Sequence, residues 1–156
     1  MKGKVAALVA PQRAEIKEFD VPQPEPGALV LEITRANVCG SEVHIWHGFH
    51  PVIRNGVLGH EFVGRIHALG AGVTTDYAGT PVHVGDRVVC AYFLTCHKCA
   101  ACLAGDFPLC RNAYAFWSQP PETPPHFHGA FATHYYVHPR QYFFRVPDGV
   151  PDAVAA

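Results

Sequence analysis

Short apolar stretches separated by glycine and proline make up the hydropathy pattern of this chain. Fourteen glycines and fourteen prolines argue against long helices and favour short strands joined by defined turns. Residues 4–10 and 14–19 predict a hairpin, with Pro11 and Gln12 at its turn. Residues 40–46 predict one or two helical turns. Further strands are predicted at 61–69, 87–93, 131–137 and 142–146.

Residues 28–38 have the most regular alternation of apolar and polar positions in the chain. One face of this segment holds Leu29, Leu31 and Ile33, and the other holds Val30, Glu32 and Thr34. Because successive side chains of a strand point to opposite faces, the pattern predicts one long strand with a buried face.

Composition and charge narrow the class of protein. The chain has 156 residues, 49% of them hydrophobic, so it can bury a core without disulfides. A net charge of -1 and a pI near 6.8 argue against an electrostatic nucleic-acid binder. Charged residues make up only 16%, which indicates a surface partly covered by another domain or subunit. No apolar run follows the N-terminal Met-Lys-Gly-Lys, so we expect a cytoplasmic protein without a signal peptide or membrane contact.

Four cysteines, at positions 96, 99, 102 and 110, have the spacing Cys-x2-Cys-x2-Cys-x7-Cys. Four thiolates fill the tetrahedral shell of a structural Zn²⁺ and leave no position for water. The alternative is a disulfide framework, which is typical of shorter, secreted chains. Gly105, Asp106 and Pro108 are predicted to turn the chain so that Cys110 completes the shell. The sequence therefore predicts a structural zinc at Cys96, Cys99, Cys102 and Cys110.

A second group of ligand types lies upstream. Cys39 follows the long predicted strand, and His60 and Glu61 lie in Gly-His-Glu-Phe-Val-Gly. A thiolate, an imidazole and a carboxylate form the mixed set of an open, catalytic zinc. Ser41 and His44 lie close enough to Cys39 to pass a substrate proton outward. Each of these two short segments also has a non-catalytic interpretation. Cys39 could be a small core residue, and His60 and Glu61 could be a surface or salt-bridged pair.

Four motifs in order resemble those of the zinc-containing medium-chain alcohol dehydrogenases. They are Cys39-Gly40-Ser41, Gly59-His60-Glu61-x2-Gly64, Gly85-Asp86-Arg87-Val88 and the four-cysteine segment. Residues 38–48 resemble the polyol and threonine dehydrogenase branches most. The resemblance covers residues 4–147 and implies a mainly β, GroES-like distorted barrel with short helices and a structural-zinc lobe at 94–112.

The resemblance also implies roles for single residues. Cys39 and His60 match catalytic-zinc ligands, and Glu61 matches a glutamate that is a direct or a second-sphere ligand, depending on the branch. Ser41 matches the hydroxyl that hydrogen-bonds the substrate oxygen, and His44 the end of a proton relay. Side chains that match or flank the substrate pocket are Tyr92, Trp46 and Phe49. Glu42 stands where the family usually has aspartate, in support of the zinc environment.

The family's nicotinamide-binding Rossmann domain has no counterpart in this sequence. Gly70-Ala71-Gly72 is followed by Val-Thr-Thr and predicts a turn, not a pyrophosphate-binding loop. We therefore expect residues 1–156 to be the catalytic domain of an alcohol dehydrogenase. NAD or NADP would bind only in a longer enzyme, and this chain alone would not transfer hydride. A small alcohol or carbonyl substrate and a homo-oligomeric enzyme are expected.

Two alternatives stay open at this point. The first is a non-catalytic zinc-binding module, against which the retained Ser41 and His44 argue. The second is a nucleic-acid zinc domain, disfavoured because only Lys98 and Arg111 are positive near the four cysteines. Of the other side chains, Cys90 is predicted to pack in the core, and His126 and His128 are candidates to face the cleft from a loop at 117–128.

Overall fold

The computed structural model describes residues 1–50, 55–115, 117 and 119–156, and their fold is mainly β. The described strands are β1 (Lys2–Ala10), β2 (Arg13–Asp20), β3 (Leu29–Ala36), β4 (Gly56–Val57), β5 (Phe62–Leu69), β6 (Arg87–Leu94), β7 (His134–Val137) and β8 (Gln141–Arg145). The described helices are α1 (Gly40–Trp46), α2 (Ala100–Ala104), a 3-10 helix (Phe107–Leu109) and α3 (Asp152–Ala155).

The strands form two sheets. The smaller sheet has the order β2-β1-β4, and the larger has the order β7-β3-β5-β6-β8. Every described pairing between these strands is antiparallel. A bridge between Val5 and Ala132, with a 2.8 Å bond from the Ala6 amide to the Phe131 carbonyl, joins the sheets. The expected mainly β, barrel-like fold is confirmed, and no parallel sheet occurs within the described ranges.

The local pattern predicted most elements correctly. The hairpin forms with Ala10 opposite Arg13, so Pro11 and Gln12 make the turn, and Gln12 has a φ of 60°. Helix α1 has the predicted bounds. The pattern missed β4, α2, the 3-10 helix and α3, which are each at most five residues long. Elements this short contain too few positions for a periodic signal.

The predicted buried face of β3 forms, and part of the opposite face is buried as well. Leu29 and Leu31 pack into the cluster that contains Ile66. Val30 points to the other face and is 0% exposed, in a second cluster with Val5 and other β1 residues. The reason is that the smaller sheet covers the far side of the larger one, so β3 is sandwiched between two apolar clusters.

Described helices are short throughout, and the longest of the α-helices, α1, has seven residues. None of them has the length and apolar character that spanning a lipid bilayer requires.

Replacing Leu31 by alanine is expected to lower the free energy of unfolding by about 2–5 kcal/mol, because it leaves a cavity in the core. Leu31 is 0% exposed on the central strand β3. The control is Ile16→Ala on the outer strand β2, where the side chain is 68% exposed. That change should stay within about 0.5 kcal/mol. Urea unfolding of the two zinc-loaded variants measures the difference, and equal losses would contradict the assigned core.

Candidate metal centres

The four cysteines of the lobe converge on one point. Their sulfur atoms all lie within 4.8 Å of one another, and Sγ of Cys96 is 4.0 Å from Sγ of Cys102. Tetrahedral zinc with Zn–S bonds of about 2.3 Å places its sulfurs about 3.8 Å apart. All six cysteines of the chain are free, so no disulfide competes for these thiols. The geometry and the donor set therefore fit a closed structural zinc.

Two short helices shape this lobe. Cys99 caps the N-terminus of α2, and Cys102 lies within that helix. Gly105 ends α2 with a φ of 85°, a left-handed conformation that glycine adopts without strain. Asp106 then caps the 3-10 helix, after which Cys110 returns toward the other sulfurs. This is the turn that Gly105, Asp106 and Pro108 predicted.

Backbone amides stabilise the thiolate form of two lobe cysteines. The amide of Lys98 lowers the pKa of Cys96, and the amide of Cys102 lowers the pKa of Cys99 to about 6. Burial acts in the opposite direction and raises the pKa of Cys102 to about 11. Since thiolates are the metal-binding form, the amide donors prepare Cys96 and Cys99 for a cation.

A second convergence joins Cys39, His60 and Glu61. One ligand atom of each lies within 4.8 Å of the others. Sulfur, nitrogen and oxygen ligands on one zinc lie about 3.3–3.6 Å apart. Only a small movement of the three side chains would therefore let all of them bind the same ion. Cys39 caps α1 just beyond β3, and His60 and Glu61 precede β5. A 2.9 Å bond from the Asn37 amide to the Glu61 carbonyl holds the two segments together.

Gly59 allows His60 to reach this position. Its φ is 97°, and a Cβ at this residue would lie only 2.6 Å from the amide nitrogen of Phe131. That amide donates to Leu58, and the Ala130 amide donates to Gly59, so the two segments run in close contact. A larger residue would push His60 away from Cys39.

Glu42 is the polar group that ties the site together. Its carboxylate is buried, with only 3% of the residue exposed. Oε2 accepts a 2.8 Å hydrogen bond from the Cys39 amide, and Oε1 lies 3.1 Å from Nδ1 of His60. With Nδ1–H donating to Glu42, Nε2 of His60 is left to bind a metal. The longer glutamate, in the place of the aspartate that the family resemblance implied, makes both contacts.

The pKa values of the ligands respond to these contacts. The Ser41 hydroxyl, 3.4 Å from Sγ of Cys39, is the main cause of a lowered pKa at that thiol. The hydrogen bond to Glu42 is the main cause of a raised pKa at His60. His44 lies three residues after Ser41, in the last turn of α1, and is exposed to solvent. Residues three apart share a helix face, so His44 follows Ser41 on the way to water.

Three aromatic rings stand beside the ligand set, and we call Tyr92, Tyr114 and Trp117 the aromatic wall. The ring centroid of Trp117 lies 4.8 Å from that of His60, and the Tyr92 centroid lies 5.8 Å away. Tyr114 contacts both of the other rings, with centroids 6.3 Å from Tyr92 and 6.1 Å from Trp117. The sequence singled out Tyr92 alone. The aromatic run at residues 114–117, shortly after Cys110, was the signal that could have found the other two.

Other expected cleft residues lie apart from these contacts. Trp46 lines an apolar cavity of about 320 Å³ between the hairpin and α1, with Val38, Val43 and Leu58 among its neighbours. Phe49 is 75% exposed and contacts the ring of His47.

The two candidate histidines of the loop make structural contacts. His126 stacks on Phe19 with centroids 4.2 Å apart, and His128 is buried with Nε2 2.9 Å from the Thr123 carbonyl. Neither is among the described contacts of the ligand set. The predicted loop at 117–128 includes Ser118, which lies outside the described residues. Cys90 packs against the larger core cluster, as predicted.

Comparisons with known proteins agree with this geometry. The family model of the alcohol dehydrogenase GroES-like domain matches residues 25–148. A 5-exo-hydroxycamphor dehydrogenase from Pseudomonas putida is 37% identical, over 98% of this chain and 42% of that protein. An L-threonine 3-dehydrogenase from Pectobacterium atrosepticum is 35% identical, over 98% of this chain and 40% of that protein. The crystal structure of an alcohol dehydrogenase from Thermotoga maritima has a TM-score of 0.88 at 28% identity, and the match covers 99% of this chain and 44% of that one. The chain thus spans about two fifths of the length of these proteins.

Replacing Cys99 by alanine is expected to remove about one zinc per chain, because three thiolates no longer close the tetrahedron. The lobe should then become sensitive to protease, since its helices depend on the metal more than on a core. Cys90→Ala is the matched control, because Cys90 lies outside both ligand groups. Elemental analysis of purified chains counts the metal. An unchanged zinc content in the Cys99 variant would rule out the four-cysteine site.

Replacing Glu42 by glutamine is expected to weaken zinc binding at Cys39, His60 and Glu61 by about 10–100-fold. The amide keeps one acceptor oxygen, so either the Cys39 amide or the His60 ring loses its partner. Competition with a chelator measures the affinity, and zinc in the lobe serves as the internal reference. Glu32→Gln, an exposed change on β3, is the control. Equal affinities in the two variants would show that Glu42 does not orient the ligands.

Proposed function

The chain belongs to the alcohol dehydrogenase family through its GroES-like domain, and we propose that it is the zinc-dependent catalytic part of an alcohol dehydrogenase. The enzyme would interconvert an alcohol or polyol with its ketone or aldehyde, using NAD or NADP. The observation that carries this proposal is that ligand atoms of Cys39, His60 and Glu61 lie within 4.8 Å of one another. Cys39 lies more than twenty positions before the other two residues in the chain.

Zinc fits this ligand set. Cys39, Nε2 of His60 and Glu61 would hold it, with the fourth tetrahedral position left to a substrate oxygen. When bound there, zinc supplies Lewis acidity, which favours the ionised form of an alcohol and polarises a carbonyl.

The protein's own groups would bind the substrate and move its proton. The Ser41 hydroxyl lies beside Sγ of Cys39, where it can hydrogen-bond the substrate oxygen and take up its proton. His44, exposed on the same helix face, would pass that proton to solvent. Glu42 keeps the His60 ring in one orientation, and the aromatic wall limits the access of water.

The hydride acceptor would bind outside this chain. Zinc has no redox chemistry, so alcohol oxidation needs an organic two-electron acceptor such as a nicotinamide. The sequence has no glycine-rich fingerprint for the pyrophosphate of such a cofactor. We therefore propose that residues 1–156 form a catalytic domain, with a zinc lobe at 94–112, and that this domain alone does not turn over substrate.

The zinc lobe suggests how copies of the enzyme would associate. Leu103 and Leu109 of the lobe are 76% and 75% exposed, and apolar side chains at such a tip favour a subunit contact. We propose a cytoplasmic homo-oligomer that acts on a small molecule and binds neither nucleic acid nor a membrane.

In the complete gene product, His60→Ala is expected to lower alcohol-dependent nicotinamide reduction by roughly a thousandfold or more, because the open zinc is lost. His83→Ala is the control, since that side chain is 82% exposed and pairs only with Asp86 in the described residues. Nicotinamide absorbance follows the reaction, and circular dichroism checks the fold. Undiminished turnover of the His60 variant would refute the catalytic assignment. A complete gene product with lobe zinc but no activity would favour the non-catalytic module.

A further inference from the structure

We propose that the aromatic wall selects the substrate, and that it favours an apolar, ring-bearing or branched secondary alcohol, or its ketone, over amino acids and polyols. This inference rests on the proposed function, because it takes the metal at Cys39, His60 and Glu61 as the point at which the substrate oxygen binds. It assigns a specificity role to Trp117 and Tyr114, which the sequence motifs did not single out.

The three rings offer apolar surface next to the reacting position. Trp117 and Tyr92 both contact His60, with interplanar angles of 45° and 60°, so neither ring is stacked flat against the imidazole. Tyr92 remains 39% exposed and Tyr114 remains 45% exposed. Aromatic side chains that keep so much free surface beside a metal position can still bury it against a ligand.

The polar groups at the site are already committed to one another. Both oxygens of Glu42 are used, one by the Cys39 amide and one by the His60 ring. The Ser41 hydroxyl, 3.4 Å from the Cys39 sulfur, is the group proposed to bind the reacting oxygen, so it serves only that one hydroxyl of a substrate. Tyr114 and Tyr92 also interact with each other: burial and the neighbouring Tyr92 raise the pKa of Tyr114. A polyol would therefore find few groups for its additional hydroxyls, and each unpaired hydroxyl would oppose binding.

Positive charge for an amino-acid carboxylate is also missing from the contacts described. No lysine or arginine takes part in the contacts of the ligand set or of the aromatic wall among the residues that the structure describes. Arg35, close to Cys39 in sequence, donates to the Asn37 side chain at 3.3 Å. Apart from the metal itself, the described contacts therefore offer a carboxylate no cation, whereas an apolar ring would gain contact with the wall.

The cavity lined by Trp46 is the competing position for an apolar ligand. It measures about 320 Å³, and Glu42 is the one charged side chain among the described residues that line it. Because the chain has two tryptophans, Trp117 in the wall and Trp46 in this cavity, each position has its own reporter.

The test uses the zinc-loaded chain with 5-fluorotryptophan at both positions, assigned through Trp46→Phe and Trp117→Phe. Cyclohexanol, sorbitol and threonine are titrated separately while the two fluorine resonances are recorded. We expect cyclohexanol to shift the Trp117 resonance and to bind at least about tenfold more tightly than the other two probes. Equal binding of all three probes, or a shift of the Trp46 resonance instead, would overturn the proposal.

Side-chain replacements then measure how much each ring contributes to the binding of cyclohexanol. Trp117→Leu and Tyr114→Leu should each weaken cyclohexanol binding by about three- to tenfold, with zinc content unchanged. Tyr77→Leu is the control: this tyrosine is 58% exposed and stacks on Tyr142, outside the wall, and its loss should change binding by less than about twofold. If one wall variant fails to fold, the other variant and the unmodified chain still decide the question.

Metal analysis of the same samples separates the two proposals. Zinc at both sites without a preference for cyclohexanol would refute the wall's role and leave the proposed function standing. Zinc in the lobe alone, with the His60→Ala variant still active in the complete gene product, would refute both.

Discussion

The buried carboxylate of Glu42 is the interaction on which the site depends. It accepts a hydrogen bond from the Cys39 amide at the start of α1 and another from the His60 ring before β5. These two ligands come from segments that are far apart in the chain and meet in the folded structure. A carboxylate buried to this degree is unfavourable unless donors satisfy it. One donor is the backbone amide of Cys39, and the other is the side chain of His60. The contacts that satisfy Glu42 are therefore the same contacts that hold these two metal ligands together.

The two candidate metal centres differ in the way their ligands are supplied. The lobe collects its four thiols from fifteen consecutive residues, with local helices and amides to direct them. The site at Cys39 draws on the ends of β3 and β5, and its geometry therefore depends on the pairing of these strands. Closed and open coordination would follow from this difference once zinc is bound. The lobe offers four thiols to one ion, whereas the second site offers three ligands with the aromatic wall beside them.

The aromatic wall places apolar surface beside the ligand set. Trp117 and Tyr92 contact the His60 ring, and Tyr114 contacts both of them. In the proposed enzyme the metal ligands would set the type of chemistry, and the wall would set which molecule undergoes it.

The sequence by itself determined the local features of this protein. The hairpin turn at Pro11 and Gln12, the bounds of α1 and the four-cysteine spacing are set by residues close together in the chain, so their pattern is readable without a structure. The motifs also indicated Cys39, His60 and Glu61 as one group. Tertiary structure alone decided the burial of Val30, the dual contact of Glu42 and the position of Trp117 beside His60. Each of these depends on which segments the packed sheets bring into contact, and a linear pattern does not encode distances between segments far apart in the chain.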